Sequence, residues 1–142
     1  MTALDLTRLS VSDIRHLQVS AGLSARRLED PFAAALFARL LAVADDEEAR
    51  RLTQQPRMAQ PFELPIDEDA DPAVTAQSLG LAIRMVTQMR GGYATPLTTV
   101  YGEVLAILAV ARDARQQATG AVVDLYTGPA APEAVYDDDG AA

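Results

Sequence analysis

A single all-α domain, a bundle of four to five helices, is what this 142-residue sequence predicts. Three observations carry that expectation. Apolar residues recur at three- and four-residue spacing in successive stretches. Helix starts are marked by a capping residue and then proline at Asp30-Pro31, Asp71-Pro72 and Thr95-Pro96. Proline loses nothing at a first helical position, whose N–H has no partner inside the helix, and the preceding side-chain oxygen takes a neighbouring free donor. Finally, a proline- and acid-rich linker splits the chain into halves of two or three helices each, too few to bury both faces alone, so the halves must share one core. At 49% hydrophobic residues the chain can bury such a core without disulfides or metals.

The elements follow in order. Ser10 with Asp13 three residues later is a capping-box pattern, and Val11, Ile14, Leu17 and Ala21 repeat at helical spacing until Gly22, which predicts a helix over 11–21. From Pro31 to Ala44, Phe32, Leu36, Leu40 and Val43 form one stripe and Phe37, Leu41 and Ala44 a second, so this helix is expected to be buried on two sides. Asp45-Asp46-Glu47-Glu48 reads as the acidic start of a further short helix, with Arg50 and Arg51 one turn on. Pro56, Pro61 and Pro65 forbid a long helix over 55–71, where Phe62-Glu63-Leu64-Pro65-Ile66 is expected to lie along the helices or form a short edge strand.

The back half predicts a helix from Pro72 to Arg90 with Leu79, Ala82, Ile83, Val86 and Met89 inward and Gln77, Arg84 and Gln88 outward, ended by Gly91-Gly92. The stretch 96–118 repeats Leu97, Val100, Tyr101, Val104, Leu105 and Leu108. Its run Val104–Ala111 is apolar all round, which predicts the central helix of the fold, with the linker packed across it and Gly120 as its stop. Val122–Tyr126 is a strand or a docked segment. The expected organisation is a helical domain over 1–127, with front helices at 11–54, linker 55–71 and back helices 72–118, and then a disordered acidic tail at 128–142.

Composition excludes much chemistry. There are 12 arginines, no lysine, no cysteine, no tryptophan and one histidine, with a net charge of -8. Thiolate nucleophiles, thiolate zinc sites, Schiff-base lysines and P-loop lysines are all out of reach. The charge and the dispersed arginines argue against nucleic acid. No cofactor or metal is expected, and Asp5 and Arg8 interrupt any signal-peptide-like stretch at the start, so the expected location is cytoplasmic.

Candidate constellations are few. Asp67-x-Asp69-x-Asp71 opens like a calcium loop, but Pro72 stands where a sharp glycine turn is needed and Ser78 where a bidentate Glu belongs. Asp13-x-x-His16 places a carboxylate and an imidazole on one helix face, with no second histidine to complete a metal site. Glu103 is the acid with no structural explanation. It lies in the apolar helix one turn after Thr99, and either reaches the surface along the helix flank or is buried against Arg84, Arg90 or a threonine hydroxyl. The candidate binding residues are therefore Glu103, Thr99, Arg84 and Arg90.

Three stretches resemble known families. Asp13–Leu17 with Gly22-Leu23-Ser24 resembles the opening of repressor-type helix-turn-helix domains, but the apolar Phe32–Phe37 stands where a polar recognition helix should follow. Leu97–Gly102 with Leu105-Ala106 looks like the last membrane helix of stator-type ion-channel subunits of the flagellar motor class. Asp30-Pro31-Phe32 and Asp46-x-Glu48-x-x-Arg51 resemble the cytoplasmic helices of that class. That resemblance implies an ion path lined by Thr98 and Thr99, yet the first two membrane helices are absent. The uninterrupted apolar run is eight residues, about 12 Å against about 30 Å of hydrocarbon. Leu4-Asp5-Leu6-Thr7 with Leu9–Ile14 is similar to the opening of phage tail assembly chaperones, small acidic helical proteins. The functional expectation is a non-enzymatic protein-protein interaction or assembly protein that binds a partner or itself. The alternatives are a membrane-associated stator-like subunit and a small enzyme or ligand-binding protein built on Glu103.

Overall fold

The computed structural model describes residues 2–56, 58–91 and 95–127, with side chains as far as 119. Among them the chain forms α1 (Val11–Arg27), α2 (Pro31–Leu52), α3 (Pro72–Arg90) and α4 (Pro96–Thr127), with two short strands, β1 (Ala3–Leu4) and β2 (Gln60–Pro61). The architecture is all-α. All four helix starts close as the caps dictate. The Asp13 amide donates to Ser10 Oγ (3.0 Å) and the Ser10 amide returns the bond to the Asp13 carboxylate (3.3 Å). Asp30 accepts from the Ala33 amide and Asp71 from the Ala73 amide, both at 2.9 Å. Thr95 Oγ1 accepts from the Thr98 amide (3.2 Å) while Thr98 Oγ1 accepts from the Thr95 amide (2.8 Å).

The predicted stops hold less well. α1 does not end at Gly22 but runs to Arg27. Gly22 is itself buried, and Ala25 and Leu28 beyond it pack on the core, which outweighs the roughly 1 kcal/mol by which one glycine weakens a helix. Nor does a new helix start at Asp45; α2 is continuous from Pro31 to Leu52, with no glycine or proline to break it. The acidic run sits mid-helix because other side chains satisfy it. Gln18 Nε2 donates to Asp45 Oδ1 (2.9 Å) and Glu48 Oε1 (3.2 Å), Arg15 lies 3.7 Å from Glu48, and Glu47 turns inward to Arg51.

The linker is pinned to α2 rather than laid across 96–118. β2 pairs antiparallel with β1, Leu4 opposite Gln60 and Ala3 opposite Pro61. The strand lies just before Phe62–Ile66, whose Phe62 amide still donates to the Thr2 carbonyl (3.0 Å). Arg39 Nη1 donates to the Glu63 carbonyl (3.2 Å) and fixes the linker on α2, leaving Glu68 to meet α4 at Arg115. The place over the back half is taken by the N-terminal segment, where β1 touches α4 and Leu4, Leu6 and Leu9 are buried. One apolar cluster joins these leucines to Leu17, Phe37, Leu40, Phe62, Leu79, Val86, Tyr101 and Leu108.

α4 is not the enclosed centre of the fold. It packs chiefly on α3, and within its apolar run Val110 is 72% exposed. Exposed alanine and valine cost little, since more than half of any folded surface is apolar. α4 also passes Gly120 and takes in Val122–Tyr126 as helix, which corrects the strand or docked segment expected there; the next breakers in the sequence are Gly128 and Pro129. At its other end α3 stops at Gly91, whose φ of 66° suits glycine. Gly92 and the expected tail at 128–142 lie outside the described residues.

Candidate functional site

The four sequence-predicted binding residues fall in three places. Glu103 is half-buried on α4 and Thr99 exposed one turn before it. Both line a small cleft of about 140 Å³ beneath the N-terminal segment, with Asp5 and Arg8 opposite. Glu103 Oε1 accepts from the Asp5 amide at 3.4 Å, so its partner is the backbone of that segment and not Arg84 or Arg90. Thr99 Oγ1 bonds back to the Thr95 carbonyl. The Asp5 carboxyl is held below the usual range chiefly by the Thr7 hydroxyl and amide, with Arg8 adding to the effect. Glu103 thus fastens the N-terminal segment to α4. Arg90 is exposed at the last residue of α3.

Arg84 belongs to a larger feature, an open groove of about 730 Å³ between α3 and α4. Its α3 wall presents the small residues Ala73, Ala76 and Gly80 on one face, where a Cβ built on Gly80 meets nothing within 4 Å. The α4 wall contributes Arg112, Gln116 and Thr119. Arg84, Gln77 and Gln116 make no hydrogen bond or ion pair among the described residues. Arg112 has its Nε buried without a hydrogen-bond partner, and its nearest carboxylate, Asp113, stands 3.8 Å away. Just outside the groove, Arg115 is engaged by Glu68 at 3.4–3.5 Å. In a chain of net charge -8 this groove brings together one unpaired arginine, a second paired only with its neighbour Asp113, and two carboxamides.

Sequence reasoning found Arg84 but missed Arg112, Gln77 and Gln116 as its neighbours. The available signal was the recurrence of small residues at 73, 76 and 80 on one face of α3, which leaves room beside that face.

The polar groups of the front half are closed off instead. Glu47 is fully buried, its Oε2 accepting from Arg51 Nε at 2.7 Å while Arg51 Nη2 donates to the Leu6 carbonyl at 3.0 Å. Glu47 Oε1 and Gln60 Nε2 are buried without partners. Tyr101 is 1% exposed, and burial pushes its hydroxyl pKa up to about 12. The nearby Ser20 hydroxyl, outside hydrogen-bonding geometry, pulls it down, and the Asp13 charge adds to the rise. His16 is exposed on α1. Asp67 and Asp71 serve local structure, Asp67 accepting from the Asp69 amide (2.9 Å) and Asp71 capping α3. Among the described residues no group of three or more acidic or histidine side chains is placed to hold a metal ion, and no helix is long and apolar enough to cross a membrane.

Comparison of the chain with protein-family models, with curated proteins and with solved structures finds no match.

Proposed function

We propose that this chain is a non-enzymatic interaction or assembly protein that receives a partner on its α3–α4 face. The observation that carries the reading is the contrast between engaged and unengaged polar groups. Glu103, Asp5, Asp71 and Glu47 are each occupied with backbone or with an arginine, whereas Arg84, Arg112, Gln77 and Gln116 face an open groove with little to bind. Two exposed valines, Val74 and Val110, add apolar area to the same pair of helices. α4 also outruns its neighbour, 32 residues against 19, or about 48 Å of helix against about 29 Å. A mixed surface of arginine, carboxamide and isolated apolar groups suits a reversible protein contact.

Two measurements test this reading. A photo-crosslinking residue placed at Gln116 in the parent cells is expected to give adducts that the same residue placed at Arg15 on α1 does not. Equal or absent adducts at both positions would overturn it. Light scattering over a wide concentration range separates the self-associating form from the partner-binding one, since a strict monomer removes the former.

A further inference from the structure

Resting on that reading, the geometry points to an extended acidic peptide segment of a partner protein as the ligand of the α3–α4 groove. The groove is long and shallow. On α3 its lining runs from Ala73 to Arg84, eleven helical steps and so about 16 Å, which matches about five residues of extended chain. Small-molecule sites are closed clefts that bury most of the ligand, and this one is open along its length. The floor of Ala73, Ala76 and Gly80 lets a backbone come close, because no Cβ stands on Gly80.

The walls supply matching chemistry. Gln77 and Gln116 each offer a donor and an acceptor, the pair of functions that an extended peptide backbone requires. A phosphate would use only the donors. Arg84 and Arg112 supply planar guanidinium forks for carboxylates; Arg84 makes no ion pair among the described residues, and Arg112 meets only its neighbour Asp113, at 3.8 Å. The acids around the groove are already placed: Glu68 on Arg115, Asp71 on the α3 cap, and Asp113 at 3.8 Å from Arg112. An incoming carboxylate therefore finds Arg84 unpaired and, at Arg112, displaces no hydrogen bond and competes only with the 3.8 Å pair to Asp113.

The test is fluorescence anisotropy of a fluorescein-labelled hepta-glutamate peptide titrated with the full chain at low and moderate salt. Saturable binding that weakens with salt is expected. Arg84→Ser and Arg112→Ser should each weaken it at least tenfold, while Arg90→Ser, an exposed arginine of the same helix outside the groove, should change it less than twofold. Gly80→Leu should remove saturable binding by filling the groove without lowering the helical circular dichroism or the urea midpoint. Equal weakening by all three arginine variants would overturn the proposal in favour of general charge attraction. Tripolyphosphate binding as tightly as the peptide would overturn it in favour of an oxyanion site. Binding seen only with a chain ended at Thr127 would overturn it by assigning the groove to this chain's own acidic residues beyond that point. Should the peptide fail while Gln116 still crosslinks to a partner, only the acidic character of the ligand falls; should both fail, the interaction reading falls with it.

Discussion

The two helix pairs of this domain are built from similar residues and closed to different degrees. At the α1–α2 seam, Gln18 and Arg15 reach the acids of α2, and a Cβ on Gly22 would stand 3.7 Å from Leu41. At the α3–α4 seam, Gly80 opens into empty space, Arg84 makes no side-chain hydrogen bond or ion pair among the described residues, and Arg112 pairs with its own helix neighbour Asp113 (3.8 Å) and not across the seam. A seam whose polar groups pair with each other serves stability. One that leaves them facing a groove keeps their hydrogen-bonding capacity for something else.

The largest expected effect lies in the closed half. Arg51→Ala leaves the Glu47 carboxylate buried without a counter-charge and the Leu6 carbonyl without its donor, and should cost about 3–5 kcal/mol in urea unfolding. Glu47→Leu combined with Arg51→Met should restore most of that loss, because replacing a whole buried pair removes the desolvation cost of both charges. A loss below about 1 kcal/mol for Arg51→Ala would mean that the front seam is wetter than its geometry indicates and would erase the contrast with the back.

Next comes the residue that joins the halves. Tyr101 is carried by α4 but feels Ser20 and Asp13, both at α1. Its pKa in the fold is about 12 against the ordinary 10.0 of a tyrosine, so between about pH 10 and pH 12 the unfolded chain has lost this proton and the folded chain still holds it. The unfolded state then binds fewer protons, and stability falls as pH rises through that window. Below about pH 10 the group contributes no pH dependence. Urea midpoints measured from pH 9 to pH 12 should fall more steeply for the native chain than for Tyr101→Phe. Parallel slopes would show that the hydroxyl reaches water.

Helix starts were legible in the sequence because they depend on neighbours one turn away. Ser10–Asp13, Asp30-Pro31, Asp71-Pro72 and Thr95-Pro96 each carry their own geometry. Stops were less so: Gly91 ends α3 as expected, but Gly22 lies inside α1 and Gly120 inside α4, because one glycine weakens a helix by only about 1 kcal/mol, and the packing of Ala25 and Leu28 on the core is invisible from the residues around Gly22. The same limit explains the site. Glu103 stood out because its neighbours in sequence are apolar, yet what it binds is the Asp5 amide, 98 residues away. Glu47 went unnoticed inside an acidic run, although it is the one acid of that run that folds inward. Arg84 and Arg112 come together only once α3 and α4 are paired.

The smallest expected effect separates the two seams most directly. Gly22→Ala and Gly80→Ala both remove a glycine from a helix interior, which alone should stabilise by about 0.5–1 kcal/mol. At Gly80 the new methyl meets nothing within 4 Å, so this backbone gain should be the whole effect. At Gly22 it lands at ordinary contact distance from Arg26 (3.6 Å) and Leu41 (3.7 Å), burying a methyl group worth up to about 0.8 kcal/mol more. Gly22→Ala should therefore stabilise more than Gly80→Ala in matched urea titrations. The reverse order would mean that the space beside Gly22 is tighter than these contact distances indicate, and that the front seam is closed by packing as well as by its polar pairs.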